Sequence, residues 1–133
     1  MSEMFCFQCQ QTAGNSGCVR VGVCGKQPST AHLQDELVAR LCRLAAVCSE
    51  RDARSDEVTV LLTDGLFTTL TNVNFDDGAI RAFIRRVEDA LHTLDDEDRE
   101  APDWLFKGET DIVSLRSALL FGLKGMAAYA LHA

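Results

Sequence analysis

Four of the six cysteines fall within the first 24 residues, at Cys6, Cys9, Cys18 and Cys24. Cys6 and Cys9 form a Cys-x2-Cys pair, eight residues lead on to Cys18, and five more to Cys24. Clustering of this kind points to metal. A cubane iron–sulfur cluster needs four thiolates converging from different directions: two can come from a Cys-x2-Cys turn, and the others must wrap back through loops. Gly14, Gly17, Gly22 and Gly25 lie among the cysteines and permit that wrapping. Exposed amides in such a loop can point at the sulfurs and raise the reduction potential. Zinc also takes four cysteines, but usually through two compact Cys-x2-4-Cys knuckles, and Cys18-x5-Cys24 is a poor knuckle. The run does not match the common bacterial ferredoxin spacing either. Spacing alone therefore favours a cluster, with zinc as the main alternative and free or disulfide-bonded thiols behind it. Arg20 and Lys26 sit beside these cysteines, either as counter-charges to a thiolate-bound cluster or as ordinary solvated cations.

The other reactive side chains form no second constellation. Cys42 and Cys48 lie six apart on a predicted helix, hence on different faces, and Cys48 continues an apolar stripe as a small hydrophobe. His32, His92 and His132 are scattered, without metal spacing. No Ser/His/Asp set, phosphate-binding glycine loop or paired helical carboxylates are present, so no catalytic residue is assigned.

The elements that must position the cysteines read as helices. Residues 5–27 read as irregular loop; Pro28 follows, then Ser29 or Thr30 as a helix N-cap. Leu33, Leu37, Leu41, Leu44 and Cys48 recur at helical steps, predicting a helix over roughly 30–50. Residues 50–57 form a charged connection. A second helix carries Leu61, Leu62, Leu66, Phe67 and Leu70, although Val58-Thr59-Val60 would also suit a short strand. Thr71 to Asn74 read as a turn, and Asp76 or Asp77 caps a third helix through Leu94. Residues 95–110 are an acidic loop whose Trp104, Leu105 and Phe106 pack back on the body. A last helix starts near Asp111, with Ile112, Leu115, Leu119, Leu123, Met126 and Ala130 as its face. It is still periodic at Ala133, with no glycine or proline stop. It is expected to expose an apolar face for self-association or a partner chain. The expectation is one all-α domain, a cysteine-rich loop over 1–28 and a small helical bundle over 29–133.

Composition narrows the partners. The chain has 133 residues, 47% apolar and 25% charged, with a formal net charge of −7. Such acidity argues against nucleic acid and anionic membranes, both polyanions. No run reaches the ~18 consecutive apolar residues of a spanning helix. Met1-Ser2-Glu3-Met4 carries no basic region followed by an apolar run, so a reducing, cytoplasmic setting is expected.

Three blocks carry a family likeness. Phe5-Cys6-Phe7-Gln8-Cys9-Gln10-Gln11-Thr12-Ala13, with Gly22-Val23-Cys24-Gly25-Lys26 and His32-Leu33-Gln34-Asp35, resembles the N-terminus of the hybrid cluster protein family, also called prismane proteins or hydroxylamine reductases. The likeness returns at Thr68 to Asp76 and at Phe121 to Tyr129, in the family's order. The resemblance implies a helical domain with a cubane cluster near one end, its four ligands matching Cys6, Cys9, Cys18 and Cys24. A second branch of the family has longer gaps and a [2Fe–2S] cluster; the short gaps here look like the [4Fe–4S] branch. Family members are several-fold longer, and their catalytic iron–sulfur–oxygen cluster lies in later domains absent from these residues. The implied role is electron transfer: an electron-donor reductase supplies the cluster, which passes electrons toward a hybrid cluster reducing hydroxylamine or nitric oxide. The alternatives are a non-redox, metal-stapled interaction domain and an inactive family fragment.

Overall fold

The computed structural model describes residues 4–71, 73–95 and 104–133, with Trp104 as backbone only. The acidic run at 96–100, Pro102, Asn72 and the expected packing of the Trp104 side chain lie outside the described residues. Among the described residues every regular element is helical. The described residues form four α-helices and two short 3-10 turns, Ala13–Asn15 ahead of the first helix and Trp104–Phe106 ahead of the last.

Pro28 opens α1 (Pro28–Glu50), with Gln27 preceding it in extended conformation. Proline suits the first helical position, because its φ is preset and its missing N–H would go unpaired there anyway. The helix thus begins before the Ser29 or Thr30 cap expected from the sequence. Thr30 instead donates its hydroxyl to Asp77 Oδ1 at 2.5 Å, pinning the start of α1 to the start of α3 (Asp77–Leu94). Hydrogen bonds from Thr30 and Ser29 hold the Asp77 carboxyl below the usual carboxylate range. Asp76 caps α3, accepting the Ala79 N–H at 3.1 Å. Ser55 caps α2 (Asp56–Thr68) by accepting the Val58 N–H at 3.2 Å, so Val58 to Val60 are helical and not a strand. The last helix, α4, runs Thr110–His132.

Helix α1 packs chiefly on α3, and α2 on α4, with α1 against α2 joining the pairs. The main core lies between α1 and α3, where Leu37, Leu44, Ile80 and Val87 are fully enclosed. Gly65 lets α2 approach: a Cβ there would come within 2.7 Å of both Leu41 methyl groups and 3.0 Å of the Phe83 ring. Asp95, buried just past α3, accepts from Arg43 at 2.7 Å and Arg51 at 2.9 Å. Those two guanidinium groups offset the cost of burying its charge. A second core joins Val38, Leu105 and Leu120, so Leu105 does pack back as expected. Cys48 sits in the main core and Cys42 against the second, on different faces of α1.

Helix α4 departs from the stripe read in the sequence. Ile112, Leu115, Leu119, Leu123 and Met126 are exposed, and the helix docks instead through Leu120, Lys124 and Ala127. The expected apolar face is present, but it points away from the bundle. By length and apolar composition alone α4 would pass for a membrane-crossing helix, although its buried stripe is committed to the protein. Core leucines of the bundle and the outward leucines of α4 should respond differently to truncation. Leu37→Ala is expected to cost about 2–5 kcal/mol of unfolding free energy. Leu119→Ala should stay within about 0.5 kcal/mol. Urea titration of both variants followed by circular dichroism checks the contrast.

Candidate functional site

The N-terminal loop is folded by a few backbone hydrogen bonds that bring distant cysteines to one place. Met4 N–H donates to the Val19 carbonyl at 3.3 Å and Cys6 N–H to the Cys18 carbonyl at 3.1 Å, laying the first segment beside the third. Gly22 N–H donates to the Lys26 carbonyl and Gly25 N–H to the Gly22 carbonyl, both at 2.8 Å, closing a tight turn that carries Cys24. Gly22 has to be small: a Cβ would lie 3.0 Å from Cys24 Sγ and 3.2 Å from the Lys26 nitrogen. A small satellite core of Met4, Cys18 and Ala31 holds the loop to α1. Phe7 stacks on Phe106 with ring centroids 4.3 Å apart, tying the loop to the turn before α4.

All four predicted cysteines, Cys6, Cys9, Cys18 and Cys24, line one small pocket together with Gln11, Gly22, Val23, Lys26 and Thr71. Cys9 and Cys18 both donate to the Gln11 carbonyl, at 3.6 and 3.9 Å. Lys26 Nζ donates to Cys6 Sγ at 3.5 Å and is 2% exposed. Lys26 is therefore a buried counter-charge to the thiols, whereas Arg20 lies on the surface. Cys42, Cys48 and the three histidines are not part of the pocket. Burial pushes the Cys42 and Cys48 thiols up, which suits inert packing residues.

Among the described residues, no three His, Cys, Asp or Glu side chains are drawn together tightly enough to hold a single metal ion as they stand. The donor set nevertheless fits an iron–sulfur group better than a hard cation. Among the described residues its lining offers four soft sulfurs, a buried ammonium and no carboxylate. Gly22 also leaves free the space that a Cβ would take beside Cys24.

Next to the pocket lies a polar network that cysteine spacing does not reveal. Gln8, 1% exposed between Cys6 and Cys9, donates through Nε2 to Asp35 Oδ1 on α1. Its Oε1 accepts from Lys124 Nζ of α4. Lys124 also donates to the Thr69 carbonyl at 3.1 Å, just beyond α2. Nearby, Gln34 donates to the Asn74 carbonyl at 3.0 Å, and Asn74 Oδ1 accepts the Asp76 N–H at 2.8 Å. Thr71, Val73 and Asn74 thus lie in the connection between α2 and α3, and Thr71 borders the cysteine pocket. The periodicity of the last helix leaves Lys124 outside its apolar face, and only the pairing of Gln8 with Lys124, 116 residues apart, accounts for its burial.

Burial sets the charges of this network. Desolvation pushes the Asp35 carboxyl up to about 6, against the opposing pull of Gln8, His32, Lys26 and Lys124. Desolvation, assisted by Lys26, pushes the Lys124 ammonium down to about 7, while Cys6, Asp35 and Cys9 pull the other way. The folded, cluster-free chain gives up the Lys124 proton near 7, whereas the unfolded chain keeps it until 10.5. Across that window the unfolded state binds more protons, so stability rises with pH. Relative to Lys124→Met, the wild-type chain should gain up to about 1.4 kcal/mol per pH unit above pH 7. Denaturant titrations of both proteins over that range check the slope.

Similarity to known proteins covers the whole site. The prismane/CO dehydrogenase family model matches residues 4–133. A hydroxylamine reductase of Desulfovibrio desulfuricans is 40% identical over 99% of this chain and 29% of its own length. Those of Syntrophobacter fumaroxidans and Methanocella arvoryzae are each 39% identical over 98% of this chain and 30% of their own length. The chain thus spans about three tenths of the length of the curated relatives it matches. With four cysteines on one pocket, an all-helical body and a family match over nearly every residue, the chain belongs to the prismane/CO dehydrogenase family.

Proposed function

We propose that this chain is an iron–sulfur electron-transfer module in which Cys6, Cys9, Cys18 and Cys24 hold a [4Fe–4S] cluster. The observation that carries the reading is the pocket itself: four thiols from three loop segments on one lining, a buried Lys26 ammonium on Cys6 and, among the described residues, no carboxylate. Membership of a family of iron–sulfur proteins supports it. When bound, a cluster of this kind supplies a one-electron couple. The chain's own residues hold the thiols, exclude water behind Gln8 and offset negative charge through Lys26.

By analogy with the relatives named hydroxylamine reductase, electrons would pass from a donor reductase through this module toward a catalytic centre that reduces hydroxylamine or nitric oxide. That centre would be carried by sequence beyond these residues or by another chain. An absence of nucleic-acid or anionic-membrane partners fits the net charge of −7, and a cytoplasmic setting fits a cysteine set kept reduced for a cluster. The outward apolar face of α4 fits a helical surface of a partner or of a second copy.

Anaerobic reconstitution with iron and sulfide, followed by metal and sulfide counts, visible absorption and EPR after dithionite reduction, tests the cluster. The expected result is about four irons and four sulfides per chain and a band near ~400 nm that bleaches on reduction. Alanine at any of Cys6, Cys9, Cys18 or Cys24 should abolish the four-iron stoichiometry, and Cys42→Ala or Cys48→Ala should keep it. A colourless chain with one zinc and no sulfide would instead leave a metal-stapled interaction domain. Sedimentation velocity tests the surface: wild type should self-associate, and Leu119→Lys with Met126→Lys should sediment as a monomer. A monomeric wild type removes the self-association proposal.

A further inference from the structure

Lys124 is 1% exposed, and both acceptors of its ammonium are neutral: the Gln8 side-chain oxygen and the Thr69 carbonyl. Asp35 is close enough to act on it electrostatically, but Gln8 stands between the two. Among the described residues the ammonium is bound only by carbonyl oxygens, which do not neutralise it, and in a low-dielectric interior the charge of the protonated side chain acts over distance. The groups within its field are Lys26 before α1, Asp35 on α1, and Cys6 and Cys9 in the loop. The geometry is rigid, because Gln8 is gripped at both ends, by Asp35 through Nε2 and by Lys124 through Oε1. Lys124 is thus anchored to the centre of the Cys6-x2-Cys9 turn, on the side of the loop away from solvent.

We infer that Lys124 is the internal counter-charge of the cysteine loop, a positioning residue whose buried ammonium, held behind the Cys6–Cys9 turn by Gln8, makes a redox group in that loop easier to reduce. This rests on the electron-transfer reading above. One electron enters from a soluble one-electron reductant, no bond is made or broken, and Lys124 keeps its proton. Added negative charge is stabilised by a nearby fixed positive one. A unit charge about 10 Å from a redox centre, at an effective dielectric of about 20, changes the reduction equilibrium by more than tenfold.

The test is the midpoint potential of the reconstituted chain, read by spectroelectrochemistry at about pH 6.5, above the Asp35 value of about 6 and below the Lys124 value of about 7, where most of each group is charged. Lys124→Met should lower the reduction equilibrium constant at least tenfold, a shift of about 59 mV to more negative potential. Lys124→Arg, which keeps the charge, should stay near wild type. Asp35→Asn keeps an acceptor for the Gln8 amide and removes a negative charge, so it should shift the potential the opposite way. A purely structural role would lower the number of clusters retained and leave the potential of those retained unchanged. If Lys124→Met holds no cluster, Asp35→Asn decides: a more positive potential supports the inference, and an unmoved one overturns it. Lys124→Met matching wild type in potential overturns this inference alone. A wild-type chain that takes up no reducible cluster overturns the electron-transfer reading and this inference with it.

Discussion

An ammonium buried to 1% exposure must find its hydrogen bonds inside the protein, and for Lys124 they come from Gln8 and the Thr69 carbonyl. Uncompensated burial of such a charge costs several kcal/mol, so the contact is a strong geometric constraint. It links four parts of the chain at one point. Lys124 belongs to α4, Thr69 follows α2, Gln8 lies in the cysteine loop, and Asp35 on α1 takes the other end of Gln8. The turn between Cys6 and Cys9 is thereby registered against three helices, although the loop has only a 3-10 turn of its own.

The rotation of α4 follows from the same contact. With Lys124 inward, the buried stripe is Leu120, Lys124 and Ala127. The larger apolar side chains at 115, 119 and 126 are then left outside. A helix placed by hydrophobic burial alone would have turned the other way, with those leucines on the bundle. An exposed stripe of this kind suits the partner surface proposed above. Helices α1 and α3, by contrast, present their richest apolar faces to each other, and the main core lies between them.

The cysteine loop has little to hold it in place. Its backbone makes a handful of cross-connections, its satellite core is three residues, and Phe7 reaches out to stack on Phe106. In so small a motif, the proposed cluster would contribute directly to folding. Lys26 and Lys124 place two positive charges about the thiols in an otherwise acidic chain, the arrangement that a thiolate-rich, negatively charged group requires.

Much of this was legible in the sequence, because it depends on local chemistry. The cysteine spacing brought Cys6, Cys9, Cys18 and Cys24 forward as one set, and the structure lines one pocket with them. Leucine periodicity marked α1, and Asp76 marked the start of α3, since period and capping act within a few residues. Val58 to Val60 stayed ambiguous between strand and helix, because three residues carry too little period; Ser55 and the packing of α2 resolved them. Tertiary structure alone decided which face of α4 turns inward and that Gln8, Asp35 and Lys124 act together. Those partners are up to 116 residues apart, and each looks like an ordinary surface polar residue until folding removes the water around it. Desolvation is a property of the packed state, so a buried lysine and the charge it carries appear only when the helices have closed over it.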